Sequence, residues 1–215
     1  MRFVLLTQRI AVLVYGGRTN LQALIDDEAA VRLQSGMLAL VVSSKAGSFA
    51  LDRARAAGIE TATADRAQLG SREAFERELL AILATHEIDV VVLAGFLQIL
   101  SAAFVARYPD RILNVHPALI PAYCGRGFYG IKVHEAVLAA GETQTGATVH
   151  MVNEVPDGGR ILMQKAVPVL PGDTPSMLQQ RVMEQAEWQL LPAATELLCA
   201  ERIKQEETKH THGTK

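Results

Sequence analysis

The chain has 215 residues, 49% hydrophobic and 20% charged, with a formal net charge of −2 at pH 7. A chain of this length buries roughly 70% of the surface its unfolded form exposes, so it can fold without disulfide or metal staples. The near-neutral charge argues against a protein dominated by nucleic-acid backbone contacts. The apolar run in the opening MRFVLLTQR is too short for a signal-peptide core or a membrane span.

The predicted elements alternate along the chain. Residues 9–15 (RIAVLVY) read as a strand closed by Gly16 and Gly17, and 19–31 as a helix. Residues 38–44 give a second strand, 48–58 a helix ended by Gly58, and 60–65 a weak edge strand. Helical spacing of Phe75, Leu79, Ile82 and Leu83 predicts a helix over 71–87 with Ser71 as its N-cap. The most apolar strand, 89–96, belongs near the sheet centre. A short helix (101–109) and a strand (111–116) follow. Residues 146–153 and 160–170 then read as an antiparallel pair joined through Asp157-Gly158-Gly159. A long helical stretch, 174–203, is expected to kink or break near Pro192.

This pattern predicts an α/β fold: a single domain over 1–203 with a mostly parallel twisted sheet, helices on both faces and an antiparallel C-terminal strand pair. The polar end, 204–215, is expected to fray as a disordered tail. Cys124 and Cys199 belong to no CxxC or Cys/His cluster. That suits a reducing compartment, and a disulfide between them stays open.

Three segments carry groups capable of chemistry. Ligands of parallel α/β sheets bind beyond the carboxyl ends of the strands, where Asn114 and His116 lie. Two residues apart on a strand, their side chains share one face, and Pro117 and Pro121 impose an irregular loop just beyond them. The YGGRTN segment (15–20) joins a strand to a helix N-terminus, where backbone N–H groups and the helix dipole can hold phosphate. It matches neither GxGxxG nor a P-loop, and a plain tight turn explains it equally well. In NEVPDGG (153–159), Asp157 precedes two glycines, which is ordinary turn chemistry unless the loop folds back over the Asn/His pair.

Taken in order, GG-TNLQALID, SREAF, VVLAGF--ILS, NVHPALIPAYCGRGFYG, GATVHMVNEVPDGG and RVMEQAEWQLLP closely resemble the phosphoribosylglycinamide formyltransferase family of purine biosynthesis. The match covers about residues 10 to 195. The resemblance implies a formyltransferase fold whose Rossmann-like N-terminal half (about 10–110) takes the nucleotide. Its C-terminal half (about 111–203) then carries the folate side and the catalytic residues. It implies catalytic Asn114, His116 and Asp157, and a phosphate and ribonucleotide site at Gly17, Arg18, Thr19 and Asn20. Glu187, or alternatively Glu184, would hold the glycinamide substrate. Arg72, Leu97, Gln98, Ile99 and Leu100 would contact folate, together with Asn114 and the loop Asn153, Glu154, Val155, Pro156 and Asp157.

The implied reaction passes the formyl group of 10-formyltetrahydrofolate to the amine of the ribonucleotide. Asn114 and a protonated His116 would stabilise the oxyanion, and Asp157 would raise the His116 pKa. No metal is expected. Small-molecule partners, no nucleic acid, no membrane, a monomer or homodimer, and a cytoplasmic location complete the expectation. Tyr15 and Arg18 depart from the family, which usually has a small residue and a glycine there, and Gln98 replaces a basic residue. Arg18 keeps open a folate- or nucleotide-binding relative without catalysis. A formyltetrahydrofolate deformylase shares the catalytic trio, but only eight residues precede the first strand where a regulatory domain would be expected. Methionyl-tRNA formyltransferase would need a further C-terminal domain.

Overall fold

A computed structural model of the protein describes residues 7–16 and 19–212. Its strands are β1 (Gln8–Val14), β2 (Gly36–Ser43), β3 (Glu60–Thr63), β4 (Val90–Leu93), β5 (Ile112–His116), β6 (Gln144–Met151) and β7 (Ile161–Pro168). They form one sheet in the order β3-β2-β1-β4-β5-β6-β7. The first five are parallel, and β6 and β7 add antiparallel to β5. The expected fold class is therefore observed, with β4 at the middle of the sheet and β3 at its edge.

Alternation along each strand builds the two faces of the core. Ile10, Val12, Val14, Val90, Val92, Leu113 and Val115 pack on one face, with helices α1 (Asn20–Ala29), α2 (Phe49–Ala56), α5 (Ile131–Ala139), α6 (Pro175–Val182) and α7 (Trp188–His212). Ala11, Leu13, Val91, Leu93 and Ile112 pack on the other, against Phe75, Leu79 and Leu83 of α3 (Arg72–Thr85) and Phe104 of α4 (Ala102–Val105). Strands buried on both faces have no polar side to show, which is why they read as continuous apolar runs. Ser48, Ser71, Ser101 and Thr174 start α2, α3, α4 and α6 in extended backbone, each accepting a backbone N–H with its hydroxyl oxygen.

Three features differ from the sequence expectation. The sequence reading places no element between 117 and 145, yet α5 lies there. It is short, and its apolar signal rests chiefly on Val133 and Val137, four residues apart.

The long C-terminal helix does not break at Pro192, which lies inside α7. The irregularity comes earlier, as a π-helical turn at Met183–Glu187. Proline cannot donate to the carbonyl four residues before it, and that carbonyl belongs to Trp188, the first residue after the wide turn.

Finally, residues 204–212, expected as frayed tail, continue α7 to His212. Lys, Gln and Glu are good helix formers. Gln8 also docks the segment, donating to Glu206 at 3.2 Å and accepting from Arg202 at 2.9 Å. Residues 213–215 of that tail lie outside the described residues. The two cysteines are free, and burial pushes the Cys199 thiol up to about 12.

Candidate active site

A cleft of about 500 Å³ opens at the carboxyl ends of β4 and β5. Asn114 and His116 reach it from the β5 end, on the strand face that carries Ile112. Antiparallel register sets His150 of β6 directly opposite Asn114. The loop after β6 folds back, as its functional reading required, and brings Asp157 to both histidines: Oδ2 lies 3.6 Å from His116 Nδ1 and Oδ1 lies 3.4 Å from His150 Nε2.

Two backbone features hold that loop. Asp157 has φ 56°, a left-handed conformation that aspartate tolerates better than most residues. A Cβ at Gly159 would lie 1.8 Å from the Met151 carbonyl oxygen, so only glycine permits the close approach of loop and strand. Asp-Gly-Gly is thus more than turn chemistry here.

The hydrogen bonds restrict each side chain. His116 Nε2 donates to the Tyr123 carbonyl at 2.8 Å, so in the neutral ring Nδ1 is a bare acceptor facing Asp157. His150 Nδ1 donates to the Met151 carbonyl at 2.8 Å, and its Nε2 accepts from the Asn114 amide at 3.1 Å. The second amide proton of Asn114 meets Asp157 only at 3.4 Å. Asp157 Oδ2 also accepts the Gly125 N–H at 2.8 Å.

Burial pushes the His116 pKa down, against the upward pull of Asp157 and the Tyr123 bond, and the net position is below the ordinary histidine value. Asp157 therefore acts in the expected direction, but the expected protonated His116 is corrected: with the ring 4% exposed, desolvation outweighs the carboxylate. Burial pushes the Asp157 carboxyl up. His150, His116 and the Gly125 N–H outweigh it and hold the group below the usual carboxylate range.

Leu97, Gln98, Ile99 and Leu100 line the cleft, and so do Asn153, Val155 and Pro156. Glu154 is not among the lining residues. Arg72 is not among the lining residues either: it donates to the Ile99 carbonyl at 2.9 Å and pairs with Glu76 at 3.1 Å. Glu76 in turn accepts the Ser101 N–H at 2.7 Å and the Ser101 hydroxyl.

At the opposite end, Asn20 and Glu187 line the cleft and meet, Asn20 Nδ2 donating to Glu187 Oε2 at 2.6 Å. The structure brings Glu187 to the cleft and leaves Glu184 outside it, accepting from Gln180 at 2.9 Å. Thr19 adjoins this end, while Gly17 and Arg18, expected in the phosphate loop, lie outside the described residues.

Sequence reasoning missed His150, Glu76 and the loop 125–130 that forms a third wall. His150 was visible as a histidine in an alternating strand, but only the register sets it against Asn114. Among the described residues, no cluster of three or more His, Cys, Asp or Glu side chains could hold a metal ion, and no helix is long and apolar enough to cross a membrane.

Residues 8–195 match the family described as Formyl transferase. The chain is 43% identical over 176 residues to the phosphoribosylglycinamide formyltransferase of Escherichia coli K12, covering 82% of this chain and 80% of that one. It is 39% identical over 198 residues to the chloroplastic phosphoribosylglycinamide formyltransferase of Arabidopsis thaliana, covering 92% of this chain and 67% of the other. It also matches trifunctional purine biosynthetic proteins adenosine-3, at 41% to 42% identity in Drosophila pseudoobscura, Gallus gallus and Bos taurus, and spans only 14% to 19% of their length. The fold superposes on glycinamide ribonucleotide transformylase 1 of Symbiobacterium toebii with a TM-score of 0.85 at 37% identity, covering 91% of this chain and 89% of that one. On sequence and fold together, the chain belongs to the formyl transferase family.

Proposed function

We propose that the protein transfers the formyl group of 10-formyltetrahydrofolate to the amine of N1-(5-phosphoribosyl)glycinamide, giving the formylglycinamide ribonucleotide and tetrahydrofolate. The observation that carries this reading is the single cleft. It holds Asn114, His116 and Asp157 at the sheet end, an apolar loop on one wall, and Glu187 with the N-terminus of α1 at the far end. The similarity to enzymes named for this reaction supports the choice of amine.

In this reading the pterin enters against Leu97 to Leu100, and the 153–157 loop covers it. The phosphate of the ribonucleotide lies at the start of α1, where first-turn N–H groups and the dipole favour an anion. Glu187 faces the glycinamide portion. The amine lone pair forms a bond to the formyl carbon, and the carbonyl electrons move onto oxygen. The weakly engaged amide proton of Asn114 is the donor that meets this oxyanion.

The amine must then lose a proton and the departing folate nitrogen must gain one as its bond to carbon breaks. His116 is neutral near pH 7 and carries a free Nδ1 lone pair beside Asp157, so it can accept that proton, directly or through water. Taking it up converts an unfavourable lone-pair contact with Asp157 into an ion pair. The low net pKa thus suits a transient base better than a permanently charged donor. The free thiols accord with a reducing cytoplasm as the place of action.

The test is a spectrophotometric assay of 10-formyltetrahydrofolate consumption with and without the ribonucleotide. Consumption that depends on the ribonucleotide is expected. Equal consumption without it overturns the transferase in favour of a deformylase, and folate binding without any turnover would leave a binding protein.

A further inference from the structure

The start of α1 is built unlike those of the other helices that open on Ser or Thr. Ser48, Ser71, Ser101 and Thr174 are extended and spend their hydroxyl oxygens on backbone N–H groups of their own helices. Thr19 holds the same position before α1 but has helical backbone (φ −84°, ψ −8°) and makes no side-chain cap. Its Oγ1 instead accepts the indole N–H of Trp188 at 2.9 Å, a residue 169 positions away. The next residue repeats the link, Asn20 Nδ2 donating to Glu187 Oε2.

Two consecutive residues at the start of α1 are therefore tied to Glu187, which ends the π turn, and Trp188, which follows it. Glu187 accepts from Asn20, so the amide must turn Oδ1 the other way. That oxygen is buried on the cleft wall with no hydrogen-bond partner among the described residues. A buried acceptor left open costs free energy unless a ligand donates to it.

We infer that Trp188 is a positioning residue for the ribonucleotide: by drawing the Thr19 hydroxyl out of its capping role, it leaves the first-turn amides of α1 open to phosphate and, beside the Asn20–Glu187 bond, fixes that end of the cleft. Glu187 closes the π turn and Trp188 follows it, and both reach the start of α1. The inference rests on the proposed transferase reading, and the experiment separates the two.

Trp188 is the chain's one tryptophan, so the protein has one indole N–H resonance. In the full-length protein, Thr19→Val should shift that resonance and speed its exchange with solvent, and no change would overturn the tie. Kinetically, Trp188→Phe should raise KM for the ribonucleotide about three- to tenfold, the loss of one hydrogen bond, with kcat and the folate KM unmoved. Thr19→Ser, which keeps the hydroxyl, should leave the indole resonance where it is, and Trp188→Phe with Thr19→Val should be no worse than the more affected single variant. Additive losses, or equal rises in both KM values, would reduce Trp188 to a packing residue and overturn the inference. Should the wild type show no ribonucleotide-dependent turnover, the transferase reading falls by itself. Titration with ribose 5-phosphate then decides the inference alone: a shifted indole resonance supports it, and an unmoved one overturns it.

Discussion

At the sheet end of the cleft, to which we assign formyl transfer, each ionisable side chain is anchored on main chain: His116 on the Tyr123 carbonyl, His150 on the Met151 carbonyl, Asp157 on the Gly125 N–H. At the ribonucleotide end the two ties run between side chains, Asn20 to Glu187 and Thr19 to Trp188. The difference bears on how each end responds to substitution. Deleting one side chain at the formyl end leaves its neighbours held by the backbone, so the loss reports on chemistry. Deleting one at the other end releases its partner as well, so the loss reports on position. Turnover should accordingly be lost at the first end and affinity at the second.

The largest effect belongs to the proposed oxyanion donor. Asn114→Ala should lower kcat by about a hundred- to a thousandfold, as removal of such a donor generally does, while folate affinity changes little. Equilibrium folate binding measured beside kcat checks the split, and parallel losses would show that the formyl end also sets position.

The next effect is a titration. In the unliganded protein the His116 ring should titrate below the ordinary value of about 6.5. Asp157→Asn removes an upward influence and should move the midpoint lower still, read from the ring C–H resonances by NMR; an unmoved midpoint would sever the pair. The linkage has a definite sign. A histidine whose folded pKa lies below its unfolded one contributes fully above about pH 6.5 and destabilises the fold as pH falls from there toward the folded value. Asp157, held low in the fold, adds a second loss only below the usual carboxylate range. Thermal melts should thus show Tm declining on acidification in two stages, and His116→Asn should abolish the first.

The wall we assign to folate offers an intermediate case, since its loop is held by side chains acting on backbone. Glu76, 8% exposed, receives Ser101 and Arg72, and Arg72 grips the Ile99 carbonyl. Glu76→Gln keeps the shape but weakens both charge-assisted bonds. The folate KM should rise about three- to tenfold with the ribonucleotide KM unchanged. Steady-state kinetics in each substrate checks this, and a rise in the ribonucleotide KM would mean the walls are coupled.

Much of this was legible from local pattern. Continuous apolar runs at 9–15 and 89–96 announce a doubly covered parallel sheet, and Ser71 before an amphipathic run announces a capped helix. Asn114 and His116, at spacing two on a strand end, carry their own geometry. What was illegible depends on distance in sequence. His150 becomes a neighbour of Asn114 only through the β5–β6 register. That Arg72 is engaged by the Ile99 carbonyl, 27 residues on, has no local signal either. The His116 pKa was misjudged because a nearby carboxylate can be read from a motif, whereas the desolvation that outweighs it follows from packing. Pro192 was read as a break because the sequence does not show that a π turn precedes it.

The smallest expected effect tests whether closeness alone confers a role. Cys124 lies one residue before Gly125, whose N–H holds Asp157, and the thiol of such a residue invites a reading as a nucleophile. Its surroundings argue otherwise. Sγ donates to the Pro121 carbonyl at 3.2 Å, and both burial and the nearby Asp157 carboxylate push its pKa upward, away from the thiolate that nucleophilic chemistry requires. The Gly125 N–H that supports Asp157 is main chain and survives any change at 124. Cys124→Ser, which retains a donor for Pro121, should therefore leave kcat and both KM values within about twofold of the wild type. A larger fall in kcat alone would mean that the loop before Gly125 sets the position of Asp157. The formyl end would then depend on side-chain packing as much as the ribonucleotide end does.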